Sequence, residues 1–429
     1  MKFKLETEFQ DTEIGKIPKE WKIEKLRHIV KYVKGKKPSV LFNERLSEEF
    51  VPYLTAEYMR GLDRPKWCNP KLEGSIIRVS RDDIIMIWDG SYSGHVFTGF
   101  DGVLASTMVK ITPIAELDKK FLYYYLLSNF EKFRSTTVGT GIPHVNKKVF
   151  EEFPIPVPPL HEQARIAEIL SIVDRAIEVV DAGVARLEGL KKALMRELLT
   201  GRIRVREENG KLVFYRETEF QETEIGKIPK EWKIVKLGAI SNFARRGKTP
   251  KYGNSNLLVI KTAHNYPDGI KFEEAPRASE EFLAKLPREL YLKPGDILIN
   301  STGTGSVGRV GYFEGYHTPC TVDGHITIFR TNQNLAIPKY VFYYLSSPYG
   351  QSALLSKASG STHQVELYVN EILDLALPLP SLEEQQRIVE FFSMIDQANE
   401  LYRKEKTMLD RLKRGLMDLL LTGRVRVVE

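Results

Sequence analysis

The sequence predicts an α+β protein with two pseudo-symmetric globular domains, separated by two long helices that pack as an antiparallel intramolecular coiled coil. The first observation behind this prediction is an internal repeat: residues 6–26 recur at 217–237 with two changes in twenty-one positions. A second block, residues 156–171, recurs at 378–393 and continues without gaps to residues 198–205 and 420–427. Each half therefore has matching ends and a dissimilar middle.

The repeat also predicts the domain boundaries, because a spacing of about 211 to 222 residues suits two domains better than one. The second middle is longer by about eleven residues, so the two domains need not present the same surface. We expect two globular domains and two helical spacers, each spacer ending in a short strand. Their ranges are 1–155 for the first domain, 156–205 for the first spacer, 206–377 for the second domain and 378–429 for the second spacer.

The second observation is a narrow apolar stripe with alternating steps of four and three residues in both spacers, which is typical of a coiled coil. Lys191 interrupts the first stripe, and the equivalent Lys413, with Asn399 and Lys406, interrupts the second. We expect the stems of Lys191 and Lys413 to lie along the seam with their ammonium groups in solvent, and the polar positions Asn399, Lys406 and Lys413 can set the register. The stripes comprise Ile166, Leu170, Val173, Ile177, Val180, Val184, Leu187, Leu194 and Leu198, and Ile388, Phe392, Ile395, Tyr402, Leu409, Leu416 and Leu420.

A spacer helix of about 38 residues would be about 57 Å long, and it cannot bury its apolar stripe alone. Mutual packing of the two copies is the simplest solution, and packing of each helix on its own domain is the alternative. Both helices are predicted to end at Leu-Leu-Thr-Gly, where Gly201 and Gly423 can adopt the left-handed conformation that closes a helix.

The third observation is that the middles mix short β-like runs with helical segments, as expected for α+β domains. The predicted strands are residues 76–79, 84–88, 297–299 and 326–329. Helical periodicity extends over residues 121–133, and a counterpart near 340–345 stops before Pro348. The tyrosines in these helices are expected to be core residues rather than stacking partners for bases.

Composition excludes several classes of protein. With 42% hydrophobic and 28% charged residues and no run of eighteen apolar residues, the chain is expected to have no membrane span and to reside in the cytoplasm. Cys68 and Cys320 lie in different halves, and the eight histidines lack ligand spacing, so neither a disulfide framework nor a metal site is predicted. The net charge is +7, and the surplus lies outside the helical blocks, where a phosphate backbone can be met.

No catalytic constellation emerges from the motifs. Residues 303–308 match G-x-G-x-x-G, but a strand-like stretch follows where a dinucleotide site needs a helix. The segment Arg-Gly-Lys-Thr at 246–249 lacks the leading glycine of a P-loop, and no nuclease or amino-methyltransferase motif is present. We therefore predict a non-enzymatic chain without a cofactor, and a nucleotide-binding enzyme using residues 303–308 is the rival from the enzyme class.

Both middles begin with a basic G-K-x-P loop, and flexible cationic loops suit phosphate contacts, although a solvated charge run is the alternative. Arginine, asparagine and glutamine present the donors and acceptors that read base edges in the major groove. The candidates for phosphate contacts are Lys34, Lys36, Lys37, Arg245, Arg246 and Lys248. The candidates for base reading are Arg64, Lys66, Asn146, Arg309, His363 and Gln364.

Over its whole length the chain resembles specificity subunits of type I restriction-modification enzymes. The resemblance is carried by two I-G-x-I-P-x-x-W segments, two Pro-x-Pro boundaries that lead to E-Q-x-R, and two L-L-T-G-R endings. It implies two variable target-recognition domains that each read half of a bipartite double-stranded DNA target, and a recognition subunit that is not itself catalytic. It also implies helices that fix the spacing and dock two methyltransferase subunits, with two restriction subunits in the full complex.

The helix positions expected to serve the spacer and its partners lie near the start of each helix. They are Gln163, Arg165, Ile166, Leu170, Val173 and Ile177, and Gln385, Arg387, Ile388, Phe392 and Ile395. A helical ruler predicts that adding or removing one helical turn changes the tolerated gap between half-sites without changing either half-site. The rival from another class is a noncatalytic coiled-coil adaptor that binds proteins, which should lack salt-dependent DNA binding.

Overall fold

The computed structural model describes residues 2–114, 116–139, 142–303, 305–361 and 364–428. The chain divides into two compact units: unit 1 comprises Met1–Asp181 and Lys404–Glu429, and unit 2 comprises Ala182–Arg403. Both boundaries fall inside the long helices, so each unit contains one globular domain and a part of each helix.

The first half of the chain contains short strands followed by one long helix. The strands are β1 (Lys2–Leu5), β2 (Phe9–Thr12), β3 (Gly15–Pro18), β4 (Lys22–Lys25), β5 (Val30–Lys34), β6 (Val51–Leu54), β7 (Lys66–Cys68), β8 (Arg78–Val79), β9 (Ile84–Ile87), β10 (Val96–Phe97), β11 (Gly102–Leu104), β12 (Met108–Pro113) and β13 (Pro154–Val157). The helices are α1 (Leu26–Ile29), α2 (Ala56–Met59), α3 (Lys119–Ser128), α4 (Phe130–Ser135), α5 (Lys147–Glu151) and α6 (Leu160–Leu198), with a 3₁₀ turn at Pro70–Leu72.

The second half repeats this order. The strands are β14 (Ile203–Glu208), β15 (Lys211–Arg216), β16 (Phe220–Thr223), β17 (Gly226–Pro229), β18 (Lys233–Lys236), β19 (Ser241–Arg246), β20 (Leu258–Ile260), β21 (Asn265–Tyr266), β22 (Gly269–Ile270), β23 (Asp296–Asn300), β24 (Val310–Phe313), β25 (Cys320–Val322), β26 (Ile326–Thr331), β27 (Ser359–Ser361), β28 (Gln364–Glu366), β29 (Ala376–Leu379) and β30 (Val425–Val428). The helices are α7 (Glu280–Lys285), α8 (Pro338–Ser346), α9 (Pro348–Lys357), α10 (Val369–Leu373) and α11 (Leu382–Leu420), with 3₁₀ turns at Leu237–Ile240 and Arg288–Leu290.

Each middle is inserted between two paired strands of the copied ends. In unit 1, β4 pairs antiparallel with β13, and the Leu26 amide donates to the Phe153 carbonyl at 3.0 Å. In unit 2, β18 pairs with β29, and the Leu237 amide donates to the Leu375 carbonyl at 2.9 Å. The chain therefore enters and leaves both middles through the same hydrogen-bonded seam.

The dissimilar middles share one framework. Unit 1 has an antiparallel sheet in the order β10-β9-β12-β5, and unit 2 has the corresponding order β24-β23-β26-β19. A parallel pair accompanies each sheet, β6 with β11 in unit 1 and β20 with β25 in unit 2. The central strands β9, β23 and β26 are almost fully buried, which accounts for their apolar runs.

The strands predicted from apolar runs are largely confirmed: residues 84–88, 297–299 and 326–329 correspond to β9, β23 and β26. The prediction for residues 76–79 was too long, because only Arg78–Val79 pairs with β11. The helix predicted over residues 121–133 is broken into α3 and α4. Asn129 causes the break: its side-chain amide donates to the Tyr125 carbonyl at 2.8 Å and takes the place of a backbone donor.

The two long helices pack antiparallel in each unit, as predicted. Along α6 the residue numbers of the ion-paired side chains rise while those of their partners on α11 fall. The pairs are Asp174–Lys413 and Asp181–Lys406 in unit 1, and Glu188–Arg403 and Lys191–Asp396 in unit 2. The alternative packing holds as well, since Ile166 and Leu170 share a core with Phe121, and Phe392 shares one with Tyr340.

The expectation that the seam lysines place their ammonium groups in solvent is wrong. The Lys413 side chain is 18% exposed and reaches Asp174 at 2.5 Å, and the Lys191 side chain is 21% exposed and pairs with Asp396. A carboxylate on the facing helix offsets the free-energy cost of removing each lysine charge from water. Among the described residues, the structure holds no helix that meets the length and apolarity needed to cross a bilayer.

Candidate nucleic-acid interface

The copied ends build the same buried ion cluster in both units. In unit 1, the Arg426 guanidinium donates to the carboxylates of Glu162, Glu6 and Glu20 at 2.7 to 3.0 Å. The Trp21 indole donates to the same Glu162 at 3.1 Å. In unit 2 the equivalent residues are Arg204, Glu384, Glu217, Glu231 and Trp232. The cluster thus joins three elements: the I-P-x-x-W motif, the first turn of one long helix and the strand that follows the other long helix.

The glycine at the end of each long helix is required by this cluster. Gly423 has φ +69°, and a Cβ there would lie 2.4 Å from Pro18. Gly201 has φ +71°, and a Cβ there would lie 2.4 Å from Pro229. The left-handed conformation and the close approach of proline both exclude a side chain.

The two G-K-x-P loops are held in the same way in the two units. A Cβ on Gly35 would lie 2.2 Å from the Ala105 carbonyl oxygen, and a Cβ on Gly247 would lie 2.2 Å from the Val322 carbonyl oxygen. Each loop therefore runs directly over the parallel strand pair of its domain. The side chains of Lys34, Lys36, Lys37, Arg245 and Lys248 are exposed on these loops.

In unit 1 the loop borders an open cleft. Lys34 Nζ lies 2.7 Å from one carboxylate oxygen of Asp89, and His144 Nδ1 lies 2.7 Å from the other. Asp89 and His144 line a cleft of about 620 Å³, together with Tyr53, Ser91, Tyr92 and Thr107. The Arg60 guanidinium lies over the Tyr92 ring at 3.2 Å from its centroid. The rim thus combines cations, a carboxylate, an imidazole and a phenol ring.

In unit 2 the equivalent arginine is engaged within its domain. The half-buried Arg246 pairs with Glu366 and donates to the Leu367 carbonyl at 2.8 Å. It therefore anchors β28 beside the cationic loop. Arg309 follows the glycine-rich turn and stacks over the Tyr266 ring at 4.4 Å. That turn leads from β23 into β24, which confirms that a strand, not a nucleotide-binding helix, follows residues 303–308.

The base-reading candidates occupy different environments. Arg64 is exposed before β7 and Lys66 is exposed on β7, where the neighbouring Trp67 exchanges hydrogen bonds with Phe42 after the cationic loop. Asn146 caps α5 by accepting from the amides of Lys148 and Val149. His363 lies outside the described residues, and Gln364 begins β28.

Sequence reasoning missed the cleft residues Asp89, Tyr92 and His144. The available signal was the glycine-punctuated turn after β9, which occupies the same place in its sheet as the turn after β23 in unit 2. The pairing of Asp89 with His144, 55 positions along the chain, left no local trace. In the described part of the chain, no group of three or more His, Cys, Asp or Glu residues has metal-binding geometry.

The selected helix positions are mostly internal. Gln163 is fully buried; it accepts from the Asp118 amide at 2.7 Å and donates to the Pro158 carbonyl at 2.8 Å. Gln385 bonds the Ile337 amide and the Pro380 carbonyl in the same way. Ile166, Leu170, Val173, Ile388, Phe392 and Ile395 are buried, Ile177 and Arg387 are partly exposed, and Arg165 is exposed.

A different set of apolar side chains on the long helices faces solvent. Ile172, Val179 and Leu412 are exposed in unit 1, and their repeat equivalents Met394, Leu401 and Leu190 are exposed in unit 2. We call these six residues the outer apolar set. Their spacing of seven and then eleven residues along each helix keeps them on one face, as in a second stripe rather than scattered surface residues.

Comparison with known proteins agrees with this organisation. A family model described as type I restriction modification DNA specificity domain matches residues 18–187 and 229–411. The type I restriction enzyme MjaVIII specificity subunit of Methanocaldococcus jannaschii is 34% identical over 433 residues, covering 100% of this chain and 98% of the relative. The type I restriction enzyme EcoBI specificity subunit of Escherichia coli is 25% identical over 72% of this chain and 65% of the relative. The solved S subunit of a type I restriction-modification system from M. genitalium aligns with a TM-score of 0.56 at 18% identity, covering 93% of this chain and 96% of that chain, and shows a shared fold.

Proposed function

Because the chain belongs to the type I restriction-modification DNA specificity family, we propose that it is the non-catalytic DNA-recognition subunit of a type I complex. Each middle reads one half of a bipartite target in double-stranded DNA. The observation that carries this proposal is that two identical seams present two unlike faces on one shared framework. We place its action in the cytoplasm, where such a complex meets DNA.

The cationic loops are proposed to contact phosphates. Lys34, Lys36 and Lys37 in unit 1, and Arg245 and Lys248 in unit 2, are exposed next to a backbone that the loop glycine holds in place. Exposed cations on such a loop suit phosphate contacts, which position a protein on DNA without reading its sequence. Arg246 belongs to the same loop, but its contacts with Glu366 and Leu367 support a positioning role for β28.

Base reading is proposed for the candidates whose side chains can bond base edges. In unit 1 these are Arg64, Lys66 and Asn146, and the cleft adds Tyr92 and His144 to them. In unit 2 they are Arg309, His363 and Gln364. Arg309 is the best supported, because its guanidinium lies over the Tyr266 ring and such a group can bond a guanine edge in two places.

The helices are proposed to fix the spacing and to dock two methyltransferase subunits, with two restriction subunits in the full complex. The outer apolar set supports docking, because it occurs once in each unit at equivalent positions and so offers two matched surfaces. Residues such as Ile166 and Phe392 support the spacer role, since their side chains are buried within their own units.

Salt-dependent DNA binding tests the phosphate contacts. For the complex reconstituted with its methyltransferase subunits, Lys37→Ala should weaken binding to all DNA sequences and reduce the slope of log affinity against log salt by about one. The matched control is Lys16→Ala, an exposed lysine on β3 of the copied scaffold. Equal effects of the two substitutions would reject the loop as a phosphate contact.

Sequencing of methylated DNA tests the function itself. Cells that carry this chain and its methyltransferase should show one bipartite methylated motif that disappears when the chain is deleted. A motif that persists without the chain would reject the proposal. An adaptor that binds only proteins would change neither the motif nor the salt dependence of DNA binding.

Mass measurement of the assembled complex tests the docking surfaces. Ile172→Asp and Met394→Asp lie at equivalent positions in unit 1 and unit 2, so each should remove one methyltransferase subunit and leave the other bound. Glu178→Lys, on an exposed polar position of α6, is the control and should leave the stoichiometry unchanged. Retention of both subunits by the two Asp variants would place docking elsewhere.

A further inference from the structure

A triad of polar side chains joins each globular domain to both long helices. In unit 1, the Tyr124 hydroxyl on α3 donates to Asp174 on α6 at 2.7 Å, and Lys413 on α11 reaches the other oxygen of the same carboxylate at 2.5 Å. The Lys413 ammonium also lies 5.6 Å from the Tyr124 ring centroid. One carboxylate thus holds three separate elements.

Unit 2 repeats the arrangement independently. The Tyr343 hydroxyl on α8 donates to Asp396 on α11 at 2.8 Å, and Lys191 on α6 pairs with the other oxygen. The Lys191 ammonium lies 5.1 Å from the Tyr343 ring centroid. The roles of α6 and α11 are exchanged between the units, as the repeat requires. The same geometry therefore forms twice from different surroundings.

Each triad specifies one register of the two long helices, whereas the apolar seam beside it does not. Leucine and isoleucine at heptad positions pack equally well after a shift along the seam, but a phenol, a carboxylate and an ammonium meet in one register only. Burial raises the pKa of both tyrosines, so their hydroxyls remain protonated donors. A shift of α11 along α6 by one helical turn, about 5.4 Å, would separate the carboxylate from its lysine in both triads.

We propose that Tyr124, Asp174 and Lys413 in unit 1, and Tyr343, Asp396 and Lys191 in unit 2, are positioning residues that set the gap between half-sites. This inference rests on the proposed function. Each triad fixes the orientation of its recognition domain relative to its own pair of helix segments. A domain that rocks on its helices accepts half-sites at more than one gap, so loss of a triad relaxes the gap without changing the bases that are read.

The test compares methylated motifs made by variant complexes in cells. Tyr124→Phe and Tyr343→Phe keep the ring and remove only the hydroxyl, with its bond to aspartate and its longer contact with Ser171 or Ser393. Lys413→Met removes the charge while keeping the stem. For each variant, discrimination against gaps one base pair longer or shorter should fall roughly tenfold, as expected for the loss of one hydrogen bond to a charged group. Lys413→Arg should retain most of it.

The matched control is the Asp181–Lys406 pair, which joins α6 to α11 seven residues after Asp174 on α6 and seven residues before Lys413 on α11. Its side chains are 49% and 40% exposed, so it should contribute little to register. Lys406→Met should leave the gap unchanged.

The outcomes separate the two proposals. If the wild-type complex makes a bipartite motif and the tyrosine variants methylate less DNA at an unchanged gap, the triads are only structural and the positioning proposal is wrong. An equal relaxation by Lys406→Met also overturns it. If the wild-type complex makes no bipartite motif, the proposed function fails, and the gap proposal fails with it. Melting temperatures of all variants show which of them are folded.

Discussion

Unit 1 and unit 2 share their copied ends and the strand order of their middles, but the middles present different exposed faces. Both hold a buried Arg-Glu cluster, a Gly-Pro contact at the helix end and a Tyr-Asp-Lys triad at equivalent positions. Their faces differ: the unit 1 loop borders an open cleft at Asp89, whereas the unit 2 loop is pinned by Arg246. The comparison shows that the copied residues maintain a scaffold and leave the exposed faces free to diverge.

The largest effect should come from opening the copied ion cluster. Arg426→Met leaves Glu162, a carboxylate that is 2% exposed, without its counter-charge and should reduce the free energy of unfolding by about 3–5 kcal/mol. Arg204→Met should cost the same in unit 2. Urea denaturation measures both.

The neighbouring arginines provide controls for this prediction. Arg424 pairs with Asp418 and Arg202 with Glu197 on the surface. Their replacement by Met should change the free energy of unfolding by no more than about 0.5 kcal/mol. Comparable losses at Arg426 and Arg424 would contradict a special role for the cluster.

The next largest effect should come from the helix-end glycines. Gly423→Ala and Gly201→Ala force a Cβ into a left-handed conformation and against proline, so each should cost about 1–3 kcal/mol of unfolding free energy. Gly189→Ala is the control, because a Cβ at that helical glycine meets nothing within 4 Å and should be neutral or stabilising. A tolerated Gly423→Ala would show that the Pro18 contact is loose.

A smaller effect should appear as a pH dependence. The Glu8 amide, followed by Arg426, lowers the pKa of Glu6 from 4.5 to about 2. Because the folded-state pKa is depressed, the stabilisation is complete above pH 4.5 and is lost as the pH falls through about 2. Glu6→Gln should therefore lower stability at pH 7 and flatten its decline between pH 4.5 and 2 in urea titrations. Glu8→Gln, on an exposed side chain, should leave that decline unchanged.

The smallest effect should distinguish the two loops. Arg246→Met removes bonds to Glu366 and Leu367 from a half-buried side chain and should cost about 1 kcal/mol. Lys34→Met removes a cation that is 53% exposed and leaves Asp89 beside His144, so it should cost less than Arg246→Met. Thermal unfolding of the two variants measures the difference, and equal losses would mean that the loops are anchored alike.

The copied elements were predictable because a repeat shows its own boundaries: both long helices, their antiparallel packing and their glycine ends follow from aligned residues. The seam lysines were predicted wrongly because Lys191 and Asp396 are 205 positions apart and no local pattern links them. The shared framework of the two middles was not predictable either. The two sheets have the same strand order but are built from different apolar residues, because burial requires apolarity rather than sequence identity.

We infer that the copied ends form the scaffold and that the middles read DNA. Replacing residues 27–152 with a second copy of residues 238–374, joined at the equivalent seams of Leu26 with Phe153 and Leu237 with Leu375, separates these two roles. Sequencing of DNA methylated by the resulting complex should show a motif in which the second half-site occurs twice and the first is absent. Persistence of the original first half-site would mean that the copied ends read DNA, contrary to this division of roles.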